Sequence, residues 1–350
     1  MHANEPAPAW REAASFSFGR RATVAAFSPD GKTLVLAGGA DGVTGVVKLF
    51  DVATQQERLS LDGHLGMVNA ATFSPDGQTL ATGAGGEPTT GEVKLWEVAT
   101  GKLLMSLSPE EGYALALAFS PDGKTLAVGS GHALGKRYFG QASFFDIASG
   151  RKLPLRLKGA QGEVTGLAYV DDGKQLVTSG SRFDETAGRE VWEVKLWNAA
   201  DGGEQAELFT SVGPNVDAVY FQMRGLAISA DGKRIAGVGR DATQGADRGM
   251  LRMWGVNPSA DWGFLSDEKT PILFCAAFSP DGKTLAAGGV DDAIHFWDMA
   301  TNREQTPLPC FAGAAFCAAF SPDGKHLIAG GVAIDAEQRQ SGIVKWWTRR

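Results

Sequence analysis

Residue types that carry out chemistry are scarce in this chain of 350 residues. It contains no His-Glu-x-x-His motif and no Cys-x-x-Cys pair, so the spacings typical of metal centres are absent from the sequence. The recurring serines, such as Ser28 and Ser74, have no histidine or acid placed to activate a nucleophile. We therefore expect no catalytic residue, no metal site and no cofactor. The five histidines are His2, His64, His132, His295 and His326.

Three of these histidines have expected structural roles. His64 follows Gly63, directly before a predicted strand. His295 stands where related segments of the chain have lysine, and His326 follows a turn, so we interpret both as structural. Glycine-rich stretches elsewhere lack the Lys-Ser/Thr pair and the following helix of a phosphate loop, so we interpret them as hairpin glycines.

A seven-fold repeat is the dominant pattern of the chain. In each copy a hydrophobic residue is followed by a near-copy of Ser-Pro-Asp-Gly-Lys-Thr-Leu, and Phe-Ser-Pro-Asp-Gly is intact in five of the seven. Seven like units predict a ring or a stack, in which each unit packs against its neighbours. The copies begin at Phe27, Phe73, Phe119, Tyr169, Ile228, Phe278 and Phe320.

The second copy indicates how one unit folds. Residues 67–73 are small or apolar and predict a strand, and residues 74–77 have the proline, acid and glycine of a tight turn. Residues 79–83, 92–98 and 103–107 predict three further strands. Four antiparallel strands are not stable alone, because they expose two faces and two edges. Arranged radially, seven such sheets form a β-propeller, each sheet being one blade.

The turn, paired with an aromatic residue in the third strand, resembles the WD-repeat (WD40) β-propeller family over essentially the whole chain. The resemblance implies an all-β, seven-bladed propeller with four antiparallel strands in each blade. It also implies a structural histidine after Gly63, so we expect His64 to form a hydrogen bond with Thr82 or a nearby backbone group. The close likeness of the units is in the style of bacterial WD-repeat proteins. The third-strand aromatic falls at Phe50, Trp96, Phe145, Trp197, Trp254, Trp297 and Trp347.

The seventh unit ends after its third strand, so its fourth strand must come from elsewhere in the chain. Residues 12–18 alternate polar and apolar side chains and have no other blade to join. We expect them to pair beside Ile343 to Thr348 and close the ring, as the family resemblance also implies. The chain is then one domain, residues 1–350, with blades at about residues 20–63, 66–109, 112–157, 162–209, 223–266, 271–309, and 314–348 with 12–18.

The composition limits the classes of partner and the cellular compartments that we expect for this protein. The net charge is −7 and no dense basic run occurs before the last two residues, so nucleic acid is not an expected partner. No stretch approaches 18 consecutive apolar residues, so no membrane contact is expected. Three cysteines form no disulfide framework, and Cys275 and Cys317 hold the same repeat position in a predicted buried strand. We expect a cytoplasmic monomer, or an exported one if a signal peptide was removed.

The connections between second and third strands, and those between blades, are irregular and share one face of the predicted ring. Arginine and aromatic residues concentrate in them around blades 3 to 5, which is the composition of interaction hot spots. The alternative is that the long loops pack on each other as paired hairpins, with Arg–Asp/Glu bridges and aromatic rings turned inward. The candidate partner-binding residues are Arg137, Tyr138, Phe139, Arg182, Phe183, Arg189, Tyr220, Phe221, Arg240 and Arg248.

These features favour a non-catalytic scaffold that recognises a protein or peptide on the irregular face. One alternative is a propeller enzyme with its site at the mouth of the central channel, which would require titratable residues converging from several blades. A second is an exported propeller of the TolB-like kind, and a third is a sensory or scaffold fragment of a larger signalling protein.

Overall fold

The computed structural model is an all-β, seven-bladed propeller, as predicted. Each blade is an antiparallel sheet, and the inner strands of neighbouring blades pack against each other around the full circle. The structure describes residues 10–39, 44–86, 89–109, 111–134, 137–158, 162–186, 188–211, 221–241, 248–256, 261–337 and 339–349.

The strands follow one another from the inside of each blade to its outer edge. The first strand, β1 (Trp10–Ser17), belongs to the last blade. Blades 1 to 4 consist of β2 (Arg21–Phe27), β3 (Thr33–Gly39), β4 (Val46–Asp51) and β5 (Gln56–Ser60); β6 (Val68–Phe73), β7 (Thr79–Gly86), β8 (Thr89–Glu97) and β9 (Leu103–Leu107); β10 (Tyr113–Phe119), β11 (Thr125–Leu134), β12 (Arg137–Phe139) and β13 (Ala142–Asp146); and β14 (Glu163–Val170), β15 (Gln175–Asp184), β16 (Arg189–Asn198) and β17 (Glu204–Thr210).

The remaining blades follow the same order. Blades 5 to 7 consist of β18 (Phe221–Ile228), β19 (Arg234–Asp241), β20 (Arg248–Gly255) and β21 (Asp261–Phe264); β22 (Leu273–Phe278), β23 (Thr284–Gly289), β24 (Ala293–Asp298), β25 (Arg303–Glu304) and β26 (Leu308–Pro309); and β27 (Gly313–Phe320), β28 (His326–Ile334) and β29 (Gln340–Arg349) with β1.

The two ends of the chain meet in blade 7, which confirms the predicted closure. β1 pairs antiparallel with β29, from Trp10 opposite Arg349 to Ser17 opposite Ile343. The N-terminal strand therefore covers an edge that would otherwise lie open, and the ring is closed by hydrogen bonds between distant parts of the sequence.

The third-strand aromatic residues form the cores between blades. Each lies opposite an apolar residue of the second strand, as Leu80 lies opposite Trp96. Trp96 belongs to a cluster that also contains Val24 and Val47 of blade 1, so its ring joins two blades. Each of the seven aromatic side chains is at most 5% exposed.

The Ser-Pro-Asp-Gly turns are held by their own side chains. Ser28 Oγ donates to Asp30 Oδ1 at 2.7 Å and accepts from the Thr33 N–H at 2.9 Å. The bond from Ser28 lowers the pKa of Asp30. A Cβ on Gly77 would lie 3.6 Å from Pro29 Cδ of the preceding blade, so the turns also touch around their face. We call this side of the ring the turn face, and the opposite side the loop face.

Blade 3 reaches four strands by a different route. Its β12 extends the loop between the second and third strands into a hairpin with β11. The outermost segment is reduced to a bridge between Phe145 and Lys152, held by bonds from the Leu153 N–H to Phe144 O at 2.7 Å and from the Asp146 N–H to Arg151 O at 2.9 Å. Pro154 follows and has no N–H with which to continue the ladder.

Candidate functional site

The loop face carries a ring of bulged residues that the sequence analysis did not identify. In all seven inner strands the register with the second strand skips one residue, which marks a β-bulge. The bulge lies four residues before the hydrophobic residue that begins each repeat copy. The bulged residues are Thr23, Asn69, Leu115, Thr165, Arg224, Phe274 and Phe316.

Five of these residues line a central channel of about 280 Å³ that all seven inner strands enclose. They stand at its loop-face end, because the bulge at Thr23 lies level with Ala37 and Gly38, where β3 ends. Deeper lining residues, such as Ala25 and Ala71, are small. Since a bulge re-aims a side chain away from the regular ladder, these residues form the rim of the channel mouth.

One side of the mouth is polar. Thr23 Oγ1 donates to Val68 O at 2.7 Å, and Asn69 Nδ2 donates to Ala114 O at 3.3 Å. Both bonds join one blade to the next. These two side chains therefore tie neighbouring blades together at the channel mouth.

The other side of the mouth is aromatic and cationic. The rings of Phe274 and Phe316 are stacked, with centroids 5.1 Å apart and planes 17° apart. The guanidinium of Arg21 lies 4.9 Å from the centroid of Phe316, within cation–π distance. All three residues are half-buried. This arrangement offers an apolar surface with a positive charge at its border.

Four large apolar side chains are also exposed on the loop face. They come from the connections after blade 1 and from the second-to-third-strand loops of blades 3, 6 and 7. They are Leu65 at 66% exposure, Phe139 at 37%, Val290 at 44% and Ile334 at 37%. Exposed apolar residues on one face indicate an interaction surface when they cluster.

Two of the predicted hot-spot arginines are already in ion pairs. Arg182 donates from Nε to Glu193 at 2.8 Å and from Nη1 to Asp184 at 3.0 Å. Arg248 donates from Nε and Nη2 to Asp241 at 3.2 and 3.1 Å. This geometry is the one expected from hairpins that pack on themselves.

The remaining candidates lie on the same extended hairpins. Phe139 stacks on the His132 ring at 5.5 Å, Phe183 and Arg240 are half-buried, and β12 packs beside β15. The hairpins of blades 3 and 4 are thus brought together. The structure describes only the backbone of Arg137, Tyr138, Arg189 and Phe221, and Tyr220 lies outside the described residues.

The expected bond of His64 is confirmed. His64 Nε2 lies 2.6 Å from Thr82 Oγ1, Nδ1 lies 2.7 Å from Glu92 Oε1, and Trp96 Nε1 donates to Thr82 at 2.8 Å. Burial lowers the pKa of His64, and the bond to Glu92 opposes this only in part. His64 is therefore neutral and holds blade 2 together.

His295 lies in the opposite electrostatic setting. Its two ring nitrogens are each 2.6 Å from a carboxylate, Asp291 on one side and Glu304 on the other. Burial acts to lower the pKa of His295, but the two hydrogen bonds outweigh it and the pKa is raised. The equivalent place in blade 7 holds the ion pair of Lys345 and Glu12 at 2.7 Å.

Two further features, a metal centre and a membrane-spanning helix, are absent from the described residues. In that part of the chain no group of three or more His, Cys, Asp or Glu side chains is placed to hold a metal ion. The described residues also include no helix long and apolar enough to cross a membrane.

The channel-mouth ring leaves a trace in the sequence. Between the bulge and the repeat hydrophobic, the inner strands carry mostly alanine, glycine and other small or aliphatic residues. The bulged position instead varies among threonine, asparagine, leucine, arginine and phenylalanine. A variable position inside a uniform repeat is the signal that would have located the ring.

Comparison with known proteins gives partial matches. The model of the WD domain, G-beta repeat, matches residues 55–97, 101–133 and 264–298. Each matched stretch begins on the outer side of one blade and ends in the next, so the sequence repeat is offset from the blade. The chain is 34% identical over 76 residues to WD repeat and SOCS box-containing protein 1 of Takifugu rubripes, covering 22% of this chain and 16% of that protein. The chain therefore carries WD-type repeats in these stretches and is similar there to WD-repeat proteins.

Proposed function

We propose that the protein is a non-catalytic interaction module that binds a protein or peptide partner at the channel mouth on the loop face. WD-type propellers typically serve as protein-interaction scaffolds, and binding residues tend to lie on loops held by a rigid scaffold. The observation that carries the proposal is the stacked pair of Phe274 and Phe316 with Arg21 at its border.

The chemistry of the mouth suggests what the partner presents. An apolar side chain placed on Phe274 and Phe316 would bury apolar surface on both molecules. A carboxylate beside it would gain a charge-assisted hydrogen bond from Arg21. We therefore propose a partner segment in which an apolar residue is next to an acidic one.

The loops of blades 3 to 5 form the outer part of the proposed surface. Phe139 is exposed there, and the ion pairs of Arg182 and Arg248 keep those hairpins in a defined shape. In this proposal the central aromatic pair supplies most of the affinity, and the outer loops select the partner. The proposed form is a cytoplasmic monomer that does not bind nucleic acid.

Affinity capture from the native cell extract tests this proposal with four forms of the protein. They are the parent, the mouth variant F274A/F316A, the loop variant R182A/F183A/R240A, and the turn-face control K32A/K124A. The control lysines are about 80% exposed in their side chains, at 82% and 81%, and lie on the opposite face. Each variant is first checked for an unfolding midpoint close to that of the parent.

We expect the mouth variant to lose a partner that the turn-face control retains. The loop variant should retain that partner with weaker binding. If the mouth variant keeps every partner of the parent, the channel mouth is not the binding site. If the turn-face control loses the same partners, the loop face is wrong as a whole.

A further inference from the structure

A large groove lies on the turn face between blades 3 and 4, away from the channel mouth. Its volume is about 1430 Å³, compared with about 320 Å³ for the groove at the equivalent place between blades 6 and 7. Both grooves are bordered by the repeat turns of two adjacent blades. Both also include the hydrophobic residue that begins the second of those turns, Tyr169 in the large groove and Phe320 in the small one. The two grooves are built alike and differ in what occupies them.

The small groove holds a tryptophan from the N-terminal strand. Trp10 lies opposite Arg349 at the start of β1, and its ring centroid is 5.9 Å from that of Phe320. Blade 7 has no turn between its third and fourth strands, because the two strands come from opposite ends of the chain. β1 can therefore continue along β29 as far as Trp10, whose indole lines the groove.

The corresponding position in blade 4 has no side chain. Glu204 lies opposite Trp197 as Glu12 lies opposite Trp347, so the residue that matches Trp10 is Gly202. Gly202 has φ +70 and lies in the tight turn that joins β16 to β17. A Cβ on Gly202 would lie 1.9 Å from Arg156 O, so the main chain of the blade 3 segment fills the space beside this turn, and blade 4 contributes no indole to the groove.

The outer segment of blade 3 crosses to blade 4 and forms one wall of the groove. After Leu153 this segment leaves its own sheet at Pro154, and the N–H of Lys158 donates instead to Gly202 O of blade 4 at 2.9 Å. The segment spans the two blades, and Leu153, Pro154 and Leu155 form an apolar wall of the groove.

Tyr169 lies beside this wall, in a groove that is also lined by polar and charged side chains, among them Asp122, Lys158 and Lys174. Burial raises the pKa of Tyr169 to about 12, with a contribution from the charge of Asp122. The hydroxyl is therefore protonated at neutral pH and can donate a hydrogen bond. Its ring occupies the place that the Phe320 ring has beneath Trp10.

We propose that this groove is a second docking site, which receives a tryptophan side chain from an extended segment of a partner protein. The molecule contains the same contact between Trp10 and Phe320, supplied there by its own chain. In the large groove the indole would pack on Tyr169 and on the wall formed by Leu153 to Leu155. The site is independent of the proposed channel-mouth function, because it lies on the other face.

The test uses the tripeptide acetyl-Gly-Trp-Gly-amide with 5-fluorotryptophan, observed by ¹⁹F NMR. The fluorine signal separates the probe from the nine tryptophans of the protein. We expect a saturable shift with a dissociation constant on the order of 1 mM, as a single inserted side chain of this size allows. The variant A200W places an indole on the exposed turn that lines the groove, and it should weaken probe binding by about tenfold or more.

Three controls make the result specific. A53W changes the same exposed turn position in blade 1 and should bind the probe as the parent does. Y169F reproduces the residue of the small groove and should retain binding, and F274A/F316A should not change it. The proposal is overturned if the probe shows no saturable shift with the parent, or if A200W and A53W affect binding equally.

Discussion

Blades 2 and 5 each have a tryptophan at the same position of the third strand, but within the described part of the chain the indole N–H is hydrogen-bonded only in blade 2. Trp96 lies opposite Leu80 and Trp254 opposite Ile235, and both indoles are at most 3% exposed. Trp96 Nε1 donates to Thr82 Oγ1 at 2.8 Å. Trp254 Nε1 is buried and has no hydrogen-bond partner among the described residues. Burial of the indole ring is therefore sufficient for the blade to form, and the hydrogen bond is a further stabilising contact.

The difference comes from one position of the repeat. Thr82 stands two residues after Leu80, and the corresponding residue of blade 5 is Gly237, which has no acceptor in a side chain. Blade 4 has Thr178 there, and Trp197 Nε1 donates to it at 2.8 Å. A buried N–H without a partner destabilises a protein by about 1–3 kcal/mol, so blade 5 tolerates a cost that blades 2 and 4 avoid.

Blade 2 extends this bond into a chain of four side chains. The carboxylate of Glu92 can only accept, so His64 Nδ1 carries the proton and its Nε2 accepts from the Thr82 hydroxyl. The Thr82 oxygen then accepts from Trp96. Burial acts to raise the pKa of Glu92, but the hydrogen bonds that it receives lower it overall, which keeps it ionised.

The largest expected effect comes from T82A, which leaves two buried groups without partners, the Trp96 N–H and His64 Nε2. We expect the free energy of unfolding to fall by about 2–4 kcal/mol. T178A is the matched control, because it leaves only the Trp197 N–H unpaired and should lower it by about 1–2 kcal/mol. Urea unfolding followed by circular dichroism measures both. Equal losses in the two variants would show that His64 adds nothing to the chain of hydrogen bonds.

A smaller effect separates the two tryptophans themselves. W96F and W254F remove the same volume from equivalent cores, but only W96F also removes the donor to Thr82. We expect W96F to be less stable than W254F by about 1 kcal/mol. The comparison uses unfolding midpoints at equal m values. If W254F loses as much as W96F, the N–H of Trp254 has a partner that offsets its burial.

The architecture could be predicted from the sequence because the same repeat unit builds every blade. The tight turn and the third-strand aromatic residue each predicted one arrangement within a blade, and the lack of a seventh outer strand predicted that the N-terminal strand completes blade 7. The structure contains all three features. The channel mouth was harder to predict, because a bulge depends on the pairing of two strands, and its trace in the sequence is one variable position inside a uniform repeat. The groove at Tyr169 lies between the outer segment of blade 3 and the turns of blade 4, which only the folded ring brings together.

The third prediction concerns pH and two histidines whose pKa values are shifted in opposite directions, His64 in blade 2 and His295 in blade 6. The pKa of His64 is below its usual value near 6.5, so its stabilising contribution is present above that value and is lost as pH falls through the folded-state pKa. The pKa of His295 is above the usual value. Its contribution is present below pH 6.5 and is lost as pH rises through the folded-state pKa.

Two variants isolate these contributions in urea unfolding at a series of pH values. H64Q should flatten the loss of stability on the acidic side, because glutamine cannot take up a proton. H295K places in blade 6 the cation that blade 7 has in Lys345, and should flatten the loss on the alkaline side, because lysine remains charged there. Parent-like slopes in H295K would mean that Asp291 and Glu304 do not hold the charged form of His295. The same slopes in H64Q would mean that the chain of hydrogen bonds in blade 2 accepts a proton without loss.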